Sequence, residues 1–414
     1  MLRQRRGARR AYRLGAERGG GRGAHGRRRE LARRRSYPRR RLLRHGAGAH
    51  RRPARAYRPT RRDGAGVKAL TLHAPGEVRF EEVAEPGPCE PGDALVRVEQ
   101  SALCGSDLHV YHGREQGLDP KTTLGHEFLG EVIAVGSAVE RHEPGDLVVS
   151  PFSTSCGACP PCAGGLTARC ERGQLFGWVQ NGHGLQGAQA ELVRVPLADT
   201  TLVAVPAGLP HEQVLLCGDI LSTGLFCAEA GDVGKGSVAA VIGCGPVGLM
   251  AIVGARELQA ARVFAVDSVP ERLALARRFG AETIDRAEEE PRQRLLEETG
   301  GRGVDCALEA VGTPAALELA FSLLRPGGTL SAAGVHTAPR IAFSPTAAYD
   351  RNLTFRTGRC PARRLMERAL SIVARGEVPL GDVVSHRLAL EEGPRAYELF
   401  DRRLEGCTKV LFLP

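Results

Sequence analysis

Val238-Ala-Ala-Val-Ile-Gly-Cys-Gly-Pro-Val-Gly248 is the stretch that decides the fold, because an apolar run leads directly into a glycine-rich turn. The five apolar residues at its start predict a buried strand, and the apolar residues from Val247 to Gln259 predict a helix. The glycines match the pattern G-x-G-x-x-G, which becomes specific when it follows a strand and opens a helix. Such a turn binds the pyrophosphate of a dinucleotide, because the first turn of the helix offers unpaired N–H groups.

The three glycines of this turn have separate roles: the first permits the tight turn, the second lets the backbone approach the pyrophosphate, and the third packs helix on strand. Asp267 lies nineteen residues beyond the last of them, at the predicted end of the next strand. A carboxylate there accepts hydrogen bonds from an adenosine ribose and repels a 2′-phosphate, so we expect NAD rather than NADP. Arg272 is close enough to complicate that preference. The candidate cofactor-binding residues are Gly243, Gly245, Pro246, Val247, Gly248, Asp267 and Arg272.

The chain after the glycine turn alternates between strand and helix patterns. Strands are predicted over residues 262–267, 304–309 and 329–334, and helices over 270–279 and 315–324. This spacing predicts an α/β fold with a doubly wound parallel sheet, a Rossmann domain with helices on both faces.

The chain before the glycine turn, from Val67 to about Val205, instead shows short alternating strands such as residues 94–100, separated by Pro-Gly turns. This pattern predicts a compact β-rich domain. The chain after Cys360 is mixed, and we expect it to return to the first domain with a terminal strand over residues 408–412. The expected division is a catalytic domain over 67–218 and 357–414, and an NAD-binding domain over 219–356.

The first 66 residues contain 24 arginines, no lysine and three acidic residues, so they account for more than the whole net charge of +10. They lack periodic apolar positions, and we expect them to be disordered. Three interpretations stay open: a mis-assigned start of the protein, a mitochondrial targeting segment, or an arm that binds polyanions. The remaining chain is acidic, so we expect no nucleic-acid binding by the folded body.

Neither a secretory signal nor an unbroken apolar run of about 20 residues is visible, so we expect a cytoplasmic protein without a membrane span. Twelve cysteines in such a protein favour metal binding over disulfides. Four of them lie within 15 residues and can close a tetrahedral structural zinc site; the alternative is four unrelated core cysteines. The loop around them has little apolar core of its own, so the metal would hold it folded. These cysteines are Cys156, Cys159, Cys162 and Cys170.

Three further motifs are Cys104-Gly-Ser-Asp-Leu-His109, Gly125-His-Glu127 and Cys217-Gly-Asp-Ile-Leu-Ser-Thr-Gly224. None of them is proof of a metal site by itself. In this order, together with the four-cysteine loop and the glycine turn, they resemble the zinc-containing alcohol dehydrogenases of the medium-chain dehydrogenase/reductase superfamily. The resemblance covers essentially all of residues 67–414.

The resemblance implies a GroES-like catalytic domain beside the Rossmann domain, NAD, and two zinc ions per subunit, of which the catalytic one is held by Cys104, His126 and Asp219. Many members have a cysteine where this chain has Asp219; a carboxylate resembles the formaldehyde dehydrogenase and polyol dehydrogenase branches. Cys217, two residues away, is a rival ligand. Glu127 is expected either to bind the metal in exchange for another ligand, or to contact one of the ligands without binding the metal itself.

The resemblance also implies a proton relay from Ser106 to His109, for which His112 and His183 are rivals. It places Phe152 in the substrate cleft, and Trp178 and the loop 182–187 are further candidates for that lining. The implied substrate is an alcohol or an aldehyde hydrate, and the implied assembly is a homodimer or homotetramer.

Two other classes of function remain as alternatives. One is a non-catalytic dinucleotide-binding or nucleic-acid-associated protein that uses the basic tail. The other is a zinc-free quinone or enoyl reductase of the same superfamily, a class that lacks the metal ligands and the cysteine loop.

Overall fold

The computed structural model describes residues 66–87 and 89–414, so the hypotheses about the Arg-rich tail lie outside the described residues. The strands are β1 Val67–Ala74, β2 Glu77–Val83, β3 Ala94–Leu103, β4 Thr122–Thr123, β5 Glu127–Val135, β6 Leu147–Val149, β7 Trp178–Gln180, β8 His183–Leu185, β9 Leu192–Val195, β10 Val203–Ala204, β11 Val238–Ile242, β12 Arg262–Asp267, β13 Glu282–Asp285, β14 Val304–Glu309, β15 Leu324–Ala332, β16 Thr354–Thr357, β17 His386–Ala389 and β18 Val410–Leu413. The α-helices are α1 Asp107–Tyr111, α2 Pro160–Ala163, α3 Ala198–Thr201, α4 His211–Leu215, α5 Ile220–Ala230, α6 Pro246–Glu257, α7 Pro270–Arg278, α8 Pro291–Glu298, α9 Pro314–Leu323, α10 Pro345–Asp350, α11 Ala362–Arg375 and α12 Gly393–Arg402.

The parallel sheet predicted around the glycine turn is present as six strands in the order β13-β12-β11-β14-β15-β16, with every neighbouring pair parallel. The chain moves outward from β11 to β13 and then returns to β14 on the other side of β11. The strand order therefore reverses between β11 and β14. In open α/β sheets a ligand binds beyond the carboxyl ends of the strands at such a point. The expected α/β fold class is confirmed.

The β-rich part is built around β3, which pairs antiparallel with β5, β9 and the terminal strand β18. Its inward side chains form an apolar core that includes Val96, Phe128 and Val132. The pairing of β18 with β3 confirms that the end of the chain returns to the first part of the protein. The domain boundaries after residues 218 and 356 stay a prediction.

Helix α5 links the two parts and lies directly against α6. Their backbones approach closely because the contact is made by glycines: a Cβ atom at Gly224 would lie 2.2 Å from the carbonyl carbon of Met250, and one at Gly254 would lie 2.8 Å from the Gly224 oxygen. This close contact holds the start of α5, at Asp219, beside the glycine turn that begins α6. The apolar residues of α5 belong to the largest buried core of the described chain.

No single helix among the described residues has the length and apolar composition needed to cross a membrane. The segments His211–Gly218 and Ile220–Ala230 meet that requirement only when taken together, across a bend of 49°.

Candidate metal centres and dinucleotide cleft

The first candidate metal centre joins four donors from distant parts of the chain. Strands β3 and β5 are antiparallel neighbours in which Ala102 faces Glu127, so Cys104, just after β3, comes beside His126, just before β5. Asp219 reaches the same point as the residue before α5. The donor atoms of Cys104, His126, Glu127 and Asp219 all lie within 4.8 Å of one another.

Within this four-donor cluster, Asp219 Oδ2 lies 3.2 Å from Cys104 Sγ and 3.4 Å from His126 Nε2. Burial raises the pKa of Cys104 to about 11. Burial alone would lower the pKa of His126, but the carboxylate of Asp107 outweighs it and raises that pKa well above its ordinary value. Cys104 and His126 thus hold protons that a divalent cation displaces on binding. A thiol, an imidazole and a carboxylate at these separations fit zinc.

Cys217, the rival ligand, lies outside the four-donor cluster. Its side chain is fully buried, and its Sγ lies 3.7 Å from the carbonyl oxygen of Gln213. The neighbouring Gly218 allows close packing, because a Cβ atom there would lie 2.2 Å from the carbonyl oxygen of Ser150. The backbone at this point directs Asp219, and not Cys217, into the four-donor cluster.

A buried chain of hydrogen bonds supports two of the donors. Asp107 accepts the N–H of Cys104 at 2.9 Å, and its other oxygen lies 3.1 Å from His126 Nδ1. Gln189 Nε2 donates to Asp107 at 3.4 Å, and the hydroxyl of Tyr397 donates to Gln189 Oε1 at 3.0 Å. None of these three residues was predicted to have a role, although Asp107 lies inside the Cys104–His109 motif.

Glu127 forms a fully buried ion pair with Lys409 of β18 through its Oε1 atom. Its second oxygen, Oε2, is buried and has no hydrogen-bond partner among the described residues. Burial raises the pKa of Glu127. Lys409 was not predicted as a site residue, although a lysine inside the apolar terminal strand is itself a sign of a buried charge.

The second candidate metal centre is the four-cysteine loop, whose sulfur atoms also lie within 4.8 Å of one another. The N–H of Cys159 donates to Cys156 Sγ at 3.3 Å, and Cys159 Sγ lies 3.8 Å from Cys170 Sγ. Hydrogen bonds from the N–H groups of Ala158 and Cys159 lower the pKa of Cys156 to about 6, whereas burial raises the pKa of Cys162 to about 12. Four thiols this close together fit a closed tetrahedral zinc site.

The glycine turn has the geometry that a pyrophosphate requires. Gly243 has a φ of +87°, and a Cβ atom at Gly248 would lie 1.7 Å from the Gly243 carbonyl oxygen, so neither position accepts a side chain. Gly245 stands immediately before α6, and a Cβ atom there would meet a single atom within 4 Å, in the guanidinium of Arg272 at 3.9 Å. The space beside Gly245 and the N–H groups of α6 therefore fit a dinucleotide phosphate.

Asp267 ends β12 next to this turn and is almost fully buried. One carboxylate oxygen accepts the N–H of Cys244 at 2.6 Å, and the other accepts that of Ser268 at 2.7 Å. The Nε atom of Arg272 is buried without a hydrogen-bond partner among the described residues, and burial lowers its pKa. Both residues thus lie beside the turn, and their role in dinucleotide binding stays a prediction.

One cleft of about 730 Å³ connects the four-donor cluster with the glycine turn. Ser106, His109, Phe152 and Trp178 line it, whereas the loop 182–187, His112 and His183 do not. For the loop this corrects the expectation, because β8 folds back onto β7 as a hairpin and leaves His183 exposed. His112 instead lies 2.7 Å from Asp401.

Ser106 and His109 differ in how they face this cleft. Ser106 Oγ lies 3.3 Å from His126 Nε2. The Nδ1 atom of His109 is buried with no partner among the described residues, and burial lowers the pKa of this histidine. A neutral imidazole with an unused nitrogen can accept a proton.

Comparison with known proteins agrees with this arrangement. A family model described as the alcohol dehydrogenase GroES-like domain matches residues 90–207, and one described as zinc-binding dehydrogenase matches residues 246–375. The zinc-type alcohol dehydrogenase B of Aspergillus flavus is 41% identical over 357 residues, which cover 84% of this chain and 81% of that protein.

Solved structures resemble the chain over the same extent. An alcohol dehydrogenase from Thermus sp. ATN1 has a TM-score of 0.79 and 43% identity, and the match covers 84% of this chain and 99% of that one. A zinc-binding dehydrogenase from Sinorhizobium meliloti, solved with NADP, has a TM-score of 0.75 and 28% identity, with 84% and 100% covered.

Proposed function

The chain belongs to the zinc-containing alcohol dehydrogenases of the medium-chain dehydrogenase/reductase superfamily, and from this we propose that it oxidises an alcohol or an aldehyde hydrate with NAD at a zinc held by Cys104, His126 and Asp219. The observation that carries the proposal is that these donors and the glycine turn border the same cleft. When bound, zinc supplies a Lewis acid for the substrate oxygen and the dinucleotide accepts the hydride.

The residues of the chain handle the proton that leaves the substrate hydroxyl. Ser106 accepts it at its hydroxyl oxygen and releases its own proton toward His109. Both residues line the cleft, and the lowered pKa of His109 keeps its ring neutral and able to accept a proton near neutral pH. Phe152 is buried beside His126 and helps to exclude water.

We propose NAD as the preferred dinucleotide because of Asp267. Its buried carboxylate is fixed by backbone N–H groups and would lie close to a 2′-phosphate, which it repels. Arg272 is the feature that favours NADP, since its guanidinium lies near Gly245. We take the repulsion by Asp267 as the stronger effect, because three backbone N–H groups hold its carboxylate in place, whereas Nε of Arg272 has no hydrogen-bond partner among the described residues.

We also propose two zinc ions per subunit, with the second one in the four-cysteine loop. The close approach of the four sulfur atoms in that loop supports this second ion. The cytoplasm stays our expectation for the location of the protein. A homodimer or homotetramer remains our expectation for the assembly, and light scattering of the purified protein would measure it.

The test of the proposed function is a panel of simple alcohols, polyols and formaldehyde with NAD or NADP, followed by the absorbance of the reduced nicotinamide. We expect turnover with NAD, and two zinc ions per chain by elemental analysis of the same sample. Full activity with zinc only in the four-cysteine loop would contradict the proposal. Reduction of quinones by zinc-stripped protein would favour the zinc-free reductase class instead.

A further inference from the structure

Glu309 is a fully buried carboxylate that has no part in the mechanism above. It ends β14, at the carboxyl edge of the parallel sheet where the strand order reverses. Its Oε1 atom accepts the N–H groups of Val311 and Gly312, each at 2.7 Å, and its Oε2 atom lies 2.9 Å from His336 Nε2. We assign Nε2 of His336 as the donor of this hydrogen bond and the Glu309 carboxylate as its acceptor.

These contacts tie together two loops, residues 310–313 after β14 and residues 333–336 after β15. The loops touch backbone to backbone: a Cβ atom at Gly334 would lie 2.2 Å from the Gly312 nitrogen, and one at Gly312 would lie 2.4 Å from the Val335 oxygen. The backbone oxygen of Glu309 also accepts the N–H of Ala333 at 2.9 Å. Glu309 and His336 therefore close a joint that leaves little room for either loop to move alone.

Each of the two loops presents a valine to the cleft. Val311 and Val335 both line it, yet 46% and 42% of their surfaces are exposed. Val311 also packs on the glycine turn, since its Cγ2 atom would lie 2.3 Å from a Cβ atom at Gly243. Ligand pockets are lined mainly by apolar side chains, so two exposed valines inside a cleft are typical of a ligand-binding surface.

We propose that Glu309 and His336 are positioning residues that hold Val311 and Val335 as an apolar wall for a ring of the bound dinucleotide. His336 also lines the cleft, but we assign both residues their effect through the fixing of the two loops and not through contact with the reacting atoms. The inference rests on the proposed function, because it takes the cleft to be the place where the dinucleotide binds.

The test compares His336→Leu, which removes the hydrogen bond, with His336→Gln, whose side-chain amide can still donate to Glu309. The matched control is His73→Leu, since His73 forms the same type of bond with Glu81 at 2.8 Å on the β1–β2 hairpin, away from the cleft. NADH affinity is read from quenching of Trp178, the single tryptophan of the chain, which lines the cleft.

We expect His336→Leu to raise the Kd for NADH and the KM for NAD about tenfold, the scale of one hydrogen bond to a buried charge. His336→Gln should stay within about threefold of the wild type, because the bond to the carboxylate persists. Zinc content should be unchanged in both variants. A merely structural role would lower the unfolding midpoint of His336→Leu and His73→Leu alike, without a selective loss of NADH affinity.

A wild-type Kd in folded His336→Leu overturns the inference and leaves the proposed function intact. Absence of NADH binding by the wild type overturns both. If His336→Leu does not fold, Val335→Ala decides, because trimming this exposed side chain removes part of the wall and spares the joint. Unchanged NADH affinity in Val335→Ala also overturns the inference.

Discussion

Asp219 occupies a position where many zinc-containing alcohol dehydrogenases have a cysteine, and its carboxylate is a harder ligand than a thiolate. Asp219→Asn keeps the size of the side chain and removes its charge. We expect this variant to lose one of two zinc ions and at least about 100-fold in kcat, since even residues that only support a metal ligand contribute about 10–100-fold. Elemental analysis and steady-state rates on one preparation measure both effects.

The matched control for Asp219 is Cys217→Ser, which changes the rival ligand two residues earlier. We expect it to keep both zinc ions, because Cys217 contacts the Gln213 carbonyl oxygen and lies outside the four-donor cluster. If Cys217→Ser lost the catalytic zinc while Asp219→Asn kept it, the zinc ligand would be Cys217 and not Asp219.

His109 should determine how alcohol oxidation depends on pH. It must be neutral to accept a proton, and burial lowers its pKa below the ordinary 6.5. The wild-type kcat should therefore stay level as pH falls through 6.5 and decline only below it. For His109→Gln we expect about a 100-fold lower kcat at neutral pH, with partial recovery at alkaline pH as hydroxide accepts the proton.

The measurement for His109 is kcat against pH for the wild type, His109→Gln and His183→Gln. The exposed His183 lies outside the lining of the cleft, so its variant should follow the wild-type curve. Identical pH curves for all three proteins would contradict the proposed role of His109 as proton acceptor.

At the scale of single residues, local motifs allowed prediction of the metal-binding donors, but not of the residues that form hydrogen bonds or ion pairs around them. Cys104, His126 and Asp219 stand in recognisable short patterns, whereas Lys409 is 282 residues from its partner Glu127 in sequence. Tyr397 likewise reaches Gln189 only because α12 folds back onto the first part of the chain. Such pairs depend on tertiary packing, which local patterns do not encode.

At the scale of elements, Asp305 connects the first ends of three adjacent parallel strands. Its carboxylate accepts the N–H of Val238 in β11 at 2.8 Å and Nε of Arg325 in β15 at 2.5 Å. Burial alone would raise the pKa of Asp305, but these hydrogen bonds outweigh it and lower that pKa. We expect Asp305→Ala to reduce the free energy of unfolding by about 1–3 kcal/mol, because the Val238 N–H loses its partner.

The pH dependence gives a second readout for Asp305. Because its pKa is lower in the folded than in the unfolded protein, its stabilisation is complete above the unfolded value of about 3.9 and disappears as pH falls through the folded value. Urea unfolding from neutral pH down to about pH 3 should therefore show a shallower acid loss in Asp305→Ala than in Glu318→Ala, an exposed control on α9. Equal acid losses would contradict the role assigned to Asp305.

Strands and helices differed in how well the sequence predicted them. The bounds of β11, β12 and β14 agree with the structure, because each is a short apolar run between turn residues. Helix α5 was not predicted, because its buried residues lie on several sides of the helix and its sequence therefore lacks an amphipathic pattern. Helix α11 does carry an amphipathic pattern, so the mixed assignment of the chain after Cys360 overlooked a usable signal.

At the scale of the whole molecule, the catalytic arrangement arises where two different sheets meet. The β-rich part supplies Cys104, His126 and Glu127, the residue before α5 supplies Asp219, and the parallel sheet supplies the glycine turn. The α5–α6 contact brings the four-donor cluster and the glycine turn to one cleft. The sequence predicted both parts separately, from periodicity and motif spacing. The distance between the two parts depends on the contact of Gly224 in α5 with α6. Neither periodicity nor motif spacing shows which helices pack together at these glycines.

The reaction should need only residues 66–414 of the molecule. The family models begin at residue 90, and the relatives compared above cover 84% of the chain. The first described strand, β1, starts at Val67 and is held by pairing with β2. We therefore expect a protein of residues 66–414 to keep its zinc content, its unfolding midpoint and its kcat/KM within about twofold, because the strand pairings and both candidate metal centres described above lie within these residues.

The same truncation should abolish binding to heparin, because the 24 arginines of the first 66 residues are removed and the remaining chain is acidic. A matched protein of residues 72–414 loses five of the eight residues of β1, including the pairs Val67↔Val83 and Leu70↔Phe80, and should unfold at a lower temperature. If the 66–414 protein lost its activity, the tail would belong to the working enzyme. If it kept its heparin binding, the acidic body would have to hold a polyanion site, and the nucleic-acid alternative would regain support.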